Sequence, residues 1–186
     1  MPEFRETALP GVIEIVADRF GDERGFFSET WNERLWRANG VDVSFVQDNH
    51  SLSGPVGVLR GLHFQAPPCA QAKLVRVTHG AVFDVAVDIR KGSPTYGKWV
   101  GVELSAAGWN QLFIPEGFAH GFVTLEPDTQ FLYKVSSFYS REHDRSIRFD
   151  DPEIGIEWPV DPQRVILSAK DRDAPLLADC DTGFSI

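Results

Sequence analysis

The sequence lacks the features that mark nucleic-acid-binding and membrane-spanning proteins. Its 186 residues carry 18 Lys and Arg against 27 Asp and Glu, a formal net charge of −9. This acidic balance argues against nucleic acid and against anionic membrane surfaces as partners. No apolar run approaches the roughly 20 residues that a bilayer-spanning helix needs. Basic side chains that gather in one pocket would still bind an anionic small ligand.

Cysteine is scarce as well. Cys69 lies in a proline-rich turn and Cys180 in a polar tail, and their separation matches no metal-binding motif. Residues 1–10 carry charges and no apolar run, so no secretion signal is expected there. These features predict free thiols and a cytoplasmic location.

Helical patterns are also rare, and short strand patterns dominate. Residues 81–89 alternate, with Phe83 and Val85 on one face and Val82 and Asp84 on the other. Similar runs, separated by turn signals rich in glycine and proline, are typical of a sandwich or barrel.

The chain length suits one domain with a sizeable core, and we expect residues 1–186 to form it. One short helix is predicted from Asn32 to Ala38, with Asn32 as N-cap and Gly40 behind its end. Residues 150–186, rich in aspartate and proline, are expected to wrap the barrel and not to form a second domain.

Two fragments resemble motifs of cupins, which are jelly-roll barrels that often hold a metal. Gly57 precedes His63 by the spacing of the first motif, and residues 115–120 match the core of the second. The ligand set is incomplete, because Gln65 replaces a histidine and a neutral amide is a poor transition-metal ligand. His63 and His120 alone do not supply the three protein ligands of a catalytic metal. The sequence predicts an all-β, cupin-like jelly roll with short flanking helices and no metal or other cofactor.

The most informative stretch is residues 60–65, Arg-Gly-Leu-His-Phe-Gln, followed by Lys73 and much later by Tyr133. A histidine can remove a proton near neutral pH, an ammonium can stabilise an oxyanion, and a phenol can return a proton. This equipment suits proton transfer at a carbon next to a carbonyl. Each residue also fits a structural role: His63 as a hydrogen-bonded barrel histidine, Lys73 as a solvated lysine, Tyr133 as a core aromatic.

Many separated motifs resemble one enzyme family, in order along the chain. They are Gln47-Asp48-Asn49, Arg60 to Gln65, Gln71 to Val75, Asp84 to Arg90, Gly92 to Thr95, Ile114 to Phe122, Tyr133-Lys134 and Ser168 to Asp171. From about Gly11 to Leu176 the chain resembles the dTDP-4-dehydrorhamnose 3,5-epimerases. The resemblance implies a metal-free homodimer that inverts dTDP-4-dehydro-6-deoxy-D-glucose at C3 and C5, giving dTDP-4-dehydro-L-rhamnose.

The resemblance also implies roles for four catalytic candidates. His63 would remove the proton next to the C4 ketone, and Asp171 would hold the resulting imidazolium, as the aspartate does in hydrolase triads. Lys73 would face the developing enolate charge, and Tyr133 would deliver a proton to the opposite face. Taken alone, Asp171 belongs to a charged run, residues 170–173, that would suit solvent.

A bulge is expected in the strand that carries the central motif. Arg60 and His63 are three residues apart, so a regular strand would point them to opposite faces. If both line one pocket, the strand must bulge between them, and Gly61 is a suitable place.

Further positions match family residues around the substrate. Cationic side chains suit the diphosphate, polar ones suit the sugar and nucleoside, and an aromatic ring would stack on thymine unless it merely packs. His120 would lie near the sugar and could polarise the ketone. The predicted substrate-binding residues are Arg24, Glu29, Gln47, Asn49, Arg60, His120, Tyr139, Asp144 and Lys170. Asp144 departs from the family, which usually has glutamate there.

The aromatic segment from Phe20 to Trp31 carries Arg24 and Glu29, and we expect it to cross to the partner in a homodimer and complete the partner's pocket. Two other functions stay open: an epimerase that acts at C3 or C5 only, and a non-catalytic cupin that binds a sugar nucleotide. A metal-dependent cupin oxygenase is disfavoured by Gln65.

Overall fold

The computed structural model describes residues 1–186, and most of its regular elements are strands. One sheet has six strands in the spatial order β1 (Glu3–Glu6), β2 (Ile13–Val16), β10 (Asn110–Ile114), β7 (Lys73–His79), β12 (Thr129–Val135) and β5 (Gln47–Ser53). The other has five, in the order β13 (Asp144–Ser146), β6 (Leu59–Gln65), β11 (Phe118–Thr124), β8 (Ala81–Asp88) and β9 (Trp99–Ser105). A hairpin of β3 (Phe20–Asp22) and β4 (Gly25–Phe27) stands apart. The predicted all-β, cupin-like jelly roll is confirmed.

The two sheets face each other across an apolar core. Val75 and Phe131 of the six-stranded sheet belong to the same buried cluster as Val82 and Phe122 of the five-stranded sheet. The rings of Phe122 and Phe131 stack with centroids 4.1 Å apart. Because side chains alternate along a strand, the same interior face carries polar residues two positions from this core, and a cavity forms there.

The outer face of the five-stranded sheet is covered by the C-terminal part of the chain. Ile154, Leu177 and Phe184 pack against Val85 and Val87. Because this second face is also covered, almost every residue of β8 and every residue of β11 is buried. Short helical turns lie in this region, namely the 3-10 turns Pro162–Arg164 and Leu177–Asp179 and the helix α2 (Ala169–Arg172).

The predicted N-terminal helix is confirmed as α1 (Glu33–Arg37). The side chain of Asn32 accepts a hydrogen bond from the backbone N–H of Leu35 at 3.2 Å, as an N-cap does. Trp36 is fully buried and anchors α1 on the outer face of the six-stranded sheet. Neither this helix nor any other is long and apolar enough to cross a bilayer. Both cysteines are free, as predicted.

The predicted bulge in β6 is confirmed. His63 pairs with His120 and Arg60 pairs with Phe122, so three steps along β6 oppose two along β11. Gly61 adopts a φ of 134°, and a Cβ there would lie 2.4 Å from the Cα of Gly121. Only glycine fits this close approach, and the bulge turns both Arg60 and His63 toward one cavity.

Candidate active site

A cavity of about 470 Å³ opens between the two sheets, a size suited to a small ligand. Its walls come from both sheets, from α2 and from the loop before β13. Most of the predicted site residues line it, although they are scattered along the sequence. They are Arg60, His63, Lys73, His120, Tyr133, Tyr139, Asp144, Lys170 and Asp171.

His63 and Asp171 form a hydrogen-bonded pair through Nε2 of the imidazole and Oδ1 of the carboxylate. The Ser168 hydroxyl donates to Oδ2 of Asp171 at 2.9 Å, while its oxygen caps α2 by accepting from the Asp171 N–H at 3.1 Å. Burial alone would raise the pKa of Asp171, but its bonds to His63 and Ser168 hold it below the usual value. The carboxylate therefore stays ionised and leaves Nδ1 of His63 as the free, basic nitrogen.

Lys73 lies at the start of β7, and its ammonium is buried in the cavity wall. It donates to the backbone carbonyl of His63 at 3.2 Å, across the gap between the two sheets. Burial lowers the pKa of Lys73 to about 8, although the charges of Asp84 and Asp144 act in the opposite direction. A positive charge therefore sits beside His63 at neutral pH.

Tyr133 projects from β12, so it belongs to the opposite sheet from His63. Burial raises the pKa of its phenol, against the effect of the Arg60 charge. The phenol is therefore protonated at neutral pH. It makes no hydrogen bond within the chain, which leaves its proton available to a molecule in the cavity.

A second histidine–carboxylate pair lies beside the first: His120 lines the same cavity, and its partner Asp84 is fully buried. Nε2 of His120 is 2.9 and 3.0 Å from the two carboxylate oxygens of Asp84. Burial raises the pKa of Asp84 and lowers that of His120, in each case against the attraction of the partner. His120 is therefore neutral at pH 7, and when its Nε2–H donates to Asp84 its Nδ1 is an acceptor.

The outer end of the cavity is lined by charged and aromatic side chains. Nζ of Lys170 lies 2.5 Å from Oδ2 of Asp144, and the Tyr139 hydroxyl donates to the same oxygen at 3.4 Å. Asp144, with the shorter side chain, thus still reaches both groups. Arg60 lies near Ser53, with 3.3 Å between Nε and the hydroxyl oxygen.

The remaining predicted residues lie outside the cavity wall. Gln47 and Asn49 are hydrogen bonded to each other on β5. The Arg24 side chain is 86% exposed and pairs with Asp22, and Glu29 accepts from Asn32 at 3.0 Å. The chain by itself therefore does not bring Arg24 and Glu29 to the other site residues.

Two residues of the site were not singled out from the sequence. Asp84 was visible as an acidic residue between Val82 and Ala86 on one face of a strand, a pattern that signals a paired, buried carboxylate. Ser168 was visible as an N-cap three residues before Asp171. The strand that carries Asp84 was predicted but its partner His120 was not, and the signal at Ser168 needed the boundaries of α2.

No group of three or more His, Cys, Asp or Glu side chains is placed to hold a metal ion. Gln65, at the position of a cupin ligand, uses its amide for the backbone: Nε2 donates to the Cys69 carbonyl at 2.7 Å and Oε1 accepts from the Ser140 N–H at 2.6 Å. Cofactor independence stays a prediction, to be tested by activity after exhaustive chelation.

The chain is similar to known sugar-nucleotide epimerases over nearly its whole length. The family profile described as dTDP-4-dehydrorhamnose 3,5-epimerase matches residues 6–179. The dTDP-4-dehydrorhamnose 3,5-epimerase of Sinorhizobium fredii is 53% identical over 181 residues, covering 97% of this chain and 92% of the relative.

Solved structures agree with this similarity. The dTDP-6-deoxy-D-glucose-3,5-epimerase of Legionella pneumophila, in complex with dTDP-4-keto-L-rhamnose, superposes with a TM-score of 0.93 at 46% identity, covering 97% of this chain and 95% of that one. A 3'-monoepimerase of Streptomyces bikiniensis, in complex with dTDP-quinovose, gives 0.86 at 34%, covering 92% and 86%. The chain therefore belongs to the dTDP-4-dehydrorhamnose 3,5-epimerase family.

Proposed function

We propose that this protein converts dTDP-4-dehydro-6-deoxy-D-glucose to dTDP-4-dehydro-L-rhamnose by inverting C3 and C5. The observation that carries the proposal is the placement of a base and an acid on opposite sheets. His63 stands on the five-stranded sheet and Tyr133 on the six-stranded sheet, and both line one cavity. Inversion needs a proton removed from one face of a carbon and returned to the other.

The first half of the reaction forms an enolate. Nδ1 of His63 takes the proton from the carbon next to the C4 ketone, and the electrons of the broken C–H bond move into the enolate oxygen. The Asp171 carboxylate stabilises the resulting imidazolium through Nε2–H. The Lys73 ammonium, buried beside His63, stabilises the negative oxygen.

The second half returns a proton from the other side. The Tyr133 hydroxyl gives its proton to the carbon, a new C–H bond forms on the opposite face, and the ketone is restored. Solvent then reprotonates the phenolate and takes the proton from His63. The same sequence at the second carbon completes the double inversion.

The outer end of the cavity suits the nucleotide. Lys170 and Arg60 supply positive charge for the diphosphate, and the ring of Tyr139, which is 60% exposed, is available to stack on thymine. Asp144, Gln47 and Asn49 add polar contacts around it, as the family resemblance implies.

His120 contacts the sugar near the ketone in this proposal. Because its Nε2–H is directed to Asp84, its free Nδ1 suits a sugar hydroxyl as donor. His120 polarises the ketone only when the His120–Asp84 pair takes up another proton. We therefore assign stabilisation of the enolate oxygen chiefly to Lys73.

A homodimer with exchange of the N-terminal segment explains the positions of Arg24 and Glu29. The hairpin that carries Arg24 exposes three large apolar side chains, which a partner subunit would cover. These are Phe20, Phe26 and Phe27, at 62%, 55% and 69% exposure. Light scattering at micromolar concentration should give a dimer mass, and a monomer mass would refute the exchange.

Subunit mixing tests the exchange directly. Arg24→Ala and His63→Ala homodimers should each be nearly inactive. If Arg24 crosses to the partner, each mixed dimer holds one intact site and mixing restores activity. If Arg24 serves its own subunit, both sites of a mixed dimer stay defective and no activity returns.

Residues 1–186 act as one jelly-roll domain in this proposal, because residues 150–186 bury apolar side chains on the five-stranded sheet. The two free cysteines are consistent with a cytoplasmic protein.

Proton NMR of the reaction in heavy water tests the function. Deuterium at both C3 and C5 of dTDP-4-dehydro-6-deoxyglucose is the expected result. Deuterium at one carbon would favour a single-carbon epimerase, the alternative raised by the similarity to the Streptomyces bikiniensis 3'-monoepimerase. Binding without exchange at either carbon would indicate a non-catalytic protein.

A further inference from the structure

The loop from Ser137 to Ser140, which follows β12, carries Tyr139 to the mouth of the cavity. Its backbone is fixed almost entirely by side chains, because the only backbone–backbone hydrogen bond within it is from His143 N–H to the Ser140 carbonyl. A loop with so few backbone bonds is ordered only as well as its side-chain contacts allow.

Three glutamine side chains supply those contacts, and we call them the glutamine clamp. Two of the contacts are donated to loop carbonyls: Nε2 of Gln71 donates to Ser137 at 2.7 Å, and Nε2 of Gln65 donates to Phe138 at 3.2 Å. The other two are accepted from loop N–H groups: Oε1 of Gln47 accepts from Tyr139 at 3.0 Å, and Oε1 of Gln65 accepts from Ser140 at 2.6 Å. Every residue of the loop is therefore held by one member of the clamp.

Gln65 is the central member of the clamp. It is 97% buried, and its amide also donates to the Cys69 carbonyl, so it joins β6, the Cys69 turn and the loop. One amide group accepts from an N–H and donates to two carbonyls, a combination that neither a carboxylate nor an apolar side chain can reproduce. Because Gln65 lies two residues from His63, the clamp ties the loop to the strand that carries the base.

We propose that the glutamine clamp, with Gln65 at its centre, positions Tyr139 for the nucleobase of the substrate. The proposal rests on the proposed function only in naming that ligand. A loop already held in its bound position loses less conformational entropy when the nucleotide arrives, so Gln65 and Gln71 contribute affinity by ordering the loop, in addition to the polar contact of Gln47 with the nucleotide. Gln65 and Gln71 are positioning residues, because they act on the nucleotide through the loop that carries Tyr139.

Gln65→Leu tests the proposal, with dTDP as the calorimetric ligand and dTDP-4-dehydro-6-deoxyglucose as the kinetic substrate. The Kd for dTDP and the KM should both rise about five- to twentyfold, because several hydrogen bonds to the loop are lost. The kcat should stay within about threefold of wild type, because proton transfer does not use the loop. Loss of kcat at unchanged KM would overturn the proposal and place Gln65 in support of His63 alone.

A double-mutant cycle identifies the residue through which Gln65 acts. If the clamp works by placing Tyr139, Gln65→Leu should weaken dTDP binding much less in a Tyr139→Ala background than in wild type. Independent, additive losses would overturn the proposal, since they would mean that Gln65 affects binding without Tyr139. This cycle reads dTDP binding alone, so it holds even if the protein fails to epimerise.

Two further variants separate positioning from loss of fold. Gln71→Leu removes one bond of the clamp and should raise the Kd in the same direction by a smaller factor; an unchanged Kd at an unchanged Tm would count against the clamp. Thr129→Val removes a buried side-chain bond to the Glu126 carbonyl at the other end of β12 and serves as the matched control. It should lower Tm while leaving Kd and KM unchanged, and an equal rise in its Kd would show that general destabilisation explains the effect of Gln65→Leu.

Discussion

His63–Asp171 and His120–Asp84 are chemically alike and lie side by side, since His63 and His120 oppose each other on β6 and β11. Their surroundings differ sharply. The His63 side chain is 31% exposed to the cavity, whereas that of His120 is 8% exposed and Asp84 is fully buried. The pKa of Asp171 is lowered and that of Asp84 is raised.

The two histidines differ in their exposure to the cavity, and this difference suits one to accept a proton and the other to make a fixed polar contact. A partly exposed imidazole beside an ionised carboxylate can take up a proton and share the resulting charge with it. The buried pair resists that change, because a second charge would have to be created away from water. The comparison therefore supports the proposal that His63 transfers the proton and that His120 keeps a constant hydrogen-bonding role.

Removing the two imidazoles in turn should give the largest effect. His63→Ala should lower kcat by about 10²–10⁴-fold, as expected for loss of a general base, while dTDP binds about as well as to wild type. His120→Ala should lose less. Steady-state rates together with calorimetric dTDP binding make the comparison, and a His63→Ala rate within a few-fold of wild type would exclude His63 as the base.

Tyr133→Phe separates the two halves of the proposed reaction. His63 and Lys73 should still form the enolate, but without the phenol the proton returns from His63 to the original face. We expect exchange of substrate hydrogen with deuterated solvent to continue, while inverted product falls about 10²–10³-fold. Parallel NMR and product assays measure both, and equal loss of both would mean that Tyr133 takes part in forming the enolate.

Asp171→Asn tests the His63–Asp171 pair through its carboxylate. The amide cannot stabilise an imidazolium as a carboxylate does, and it can present an N–H that favours the wrong tautomer of His63. We expect kcat to fall on the order of a hundredfold with dTDP affinity retained. A wild-type kcat in this variant would show that the ion pair contributes nothing to proton removal.

The fold could be predicted because its signals are local. Alternation in residues 81–89 indicated a strand, and the cap at Asn32 indicated a helix; both are confirmed. The bulge at Gly61 followed from a geometric requirement on Arg60 and His63, and it too is confirmed.

The His63–Asp171 pair was expected from the family resemblance. The contacts of Asp84 and Gln65 could not be predicted, because they depend on which strands become neighbours. Asp84 lies 36 residues from His120, and Gln65 lies 75 residues from Ser140. The sequence indicated only that Gln65 stands where cupins have a metal-binding histidine. In the structure its amide group is hydrogen bonded to three backbone groups. Such contacts become visible only when the sheet register is known.

The pKa of Lys73 predicts how the activity depends on pH. Its pKa of about 8 means that the free enzyme loses the ammonium as pH rises through that value, so kcat/KM should decline above pH 8. An arginine stays charged throughout this range. In Lys73→Arg, kcat/KM should therefore show no decline between pH 7.5 and about 9. The variant should be less active throughout, because the planar guanidinium fits the site differently from an ammonium. A decline preserved in Lys73→Arg would assign it to another group.

Asp84→Asn should give the smallest effect and the finest test of the buried pair. The charge of Asp84 raises the pKa of Lys73, so its removal should move the alkaline decline to lower pH. The amide oxygen can still accept from Nε2–H of His120, so kcat at neutral pH should fall only a few-fold. Asp171→Asn is the matched control, because Asp171 is not among the charges that shift the pKa of Lys73. In that variant the decline of kcat/KM at alkaline pH should stay where it is in wild type. If the alkaline decline of kcat/KM did not move in Asp84→Asn, Asp84 would not be ionised where Lys73 titrates, and the buried pair would act without charge.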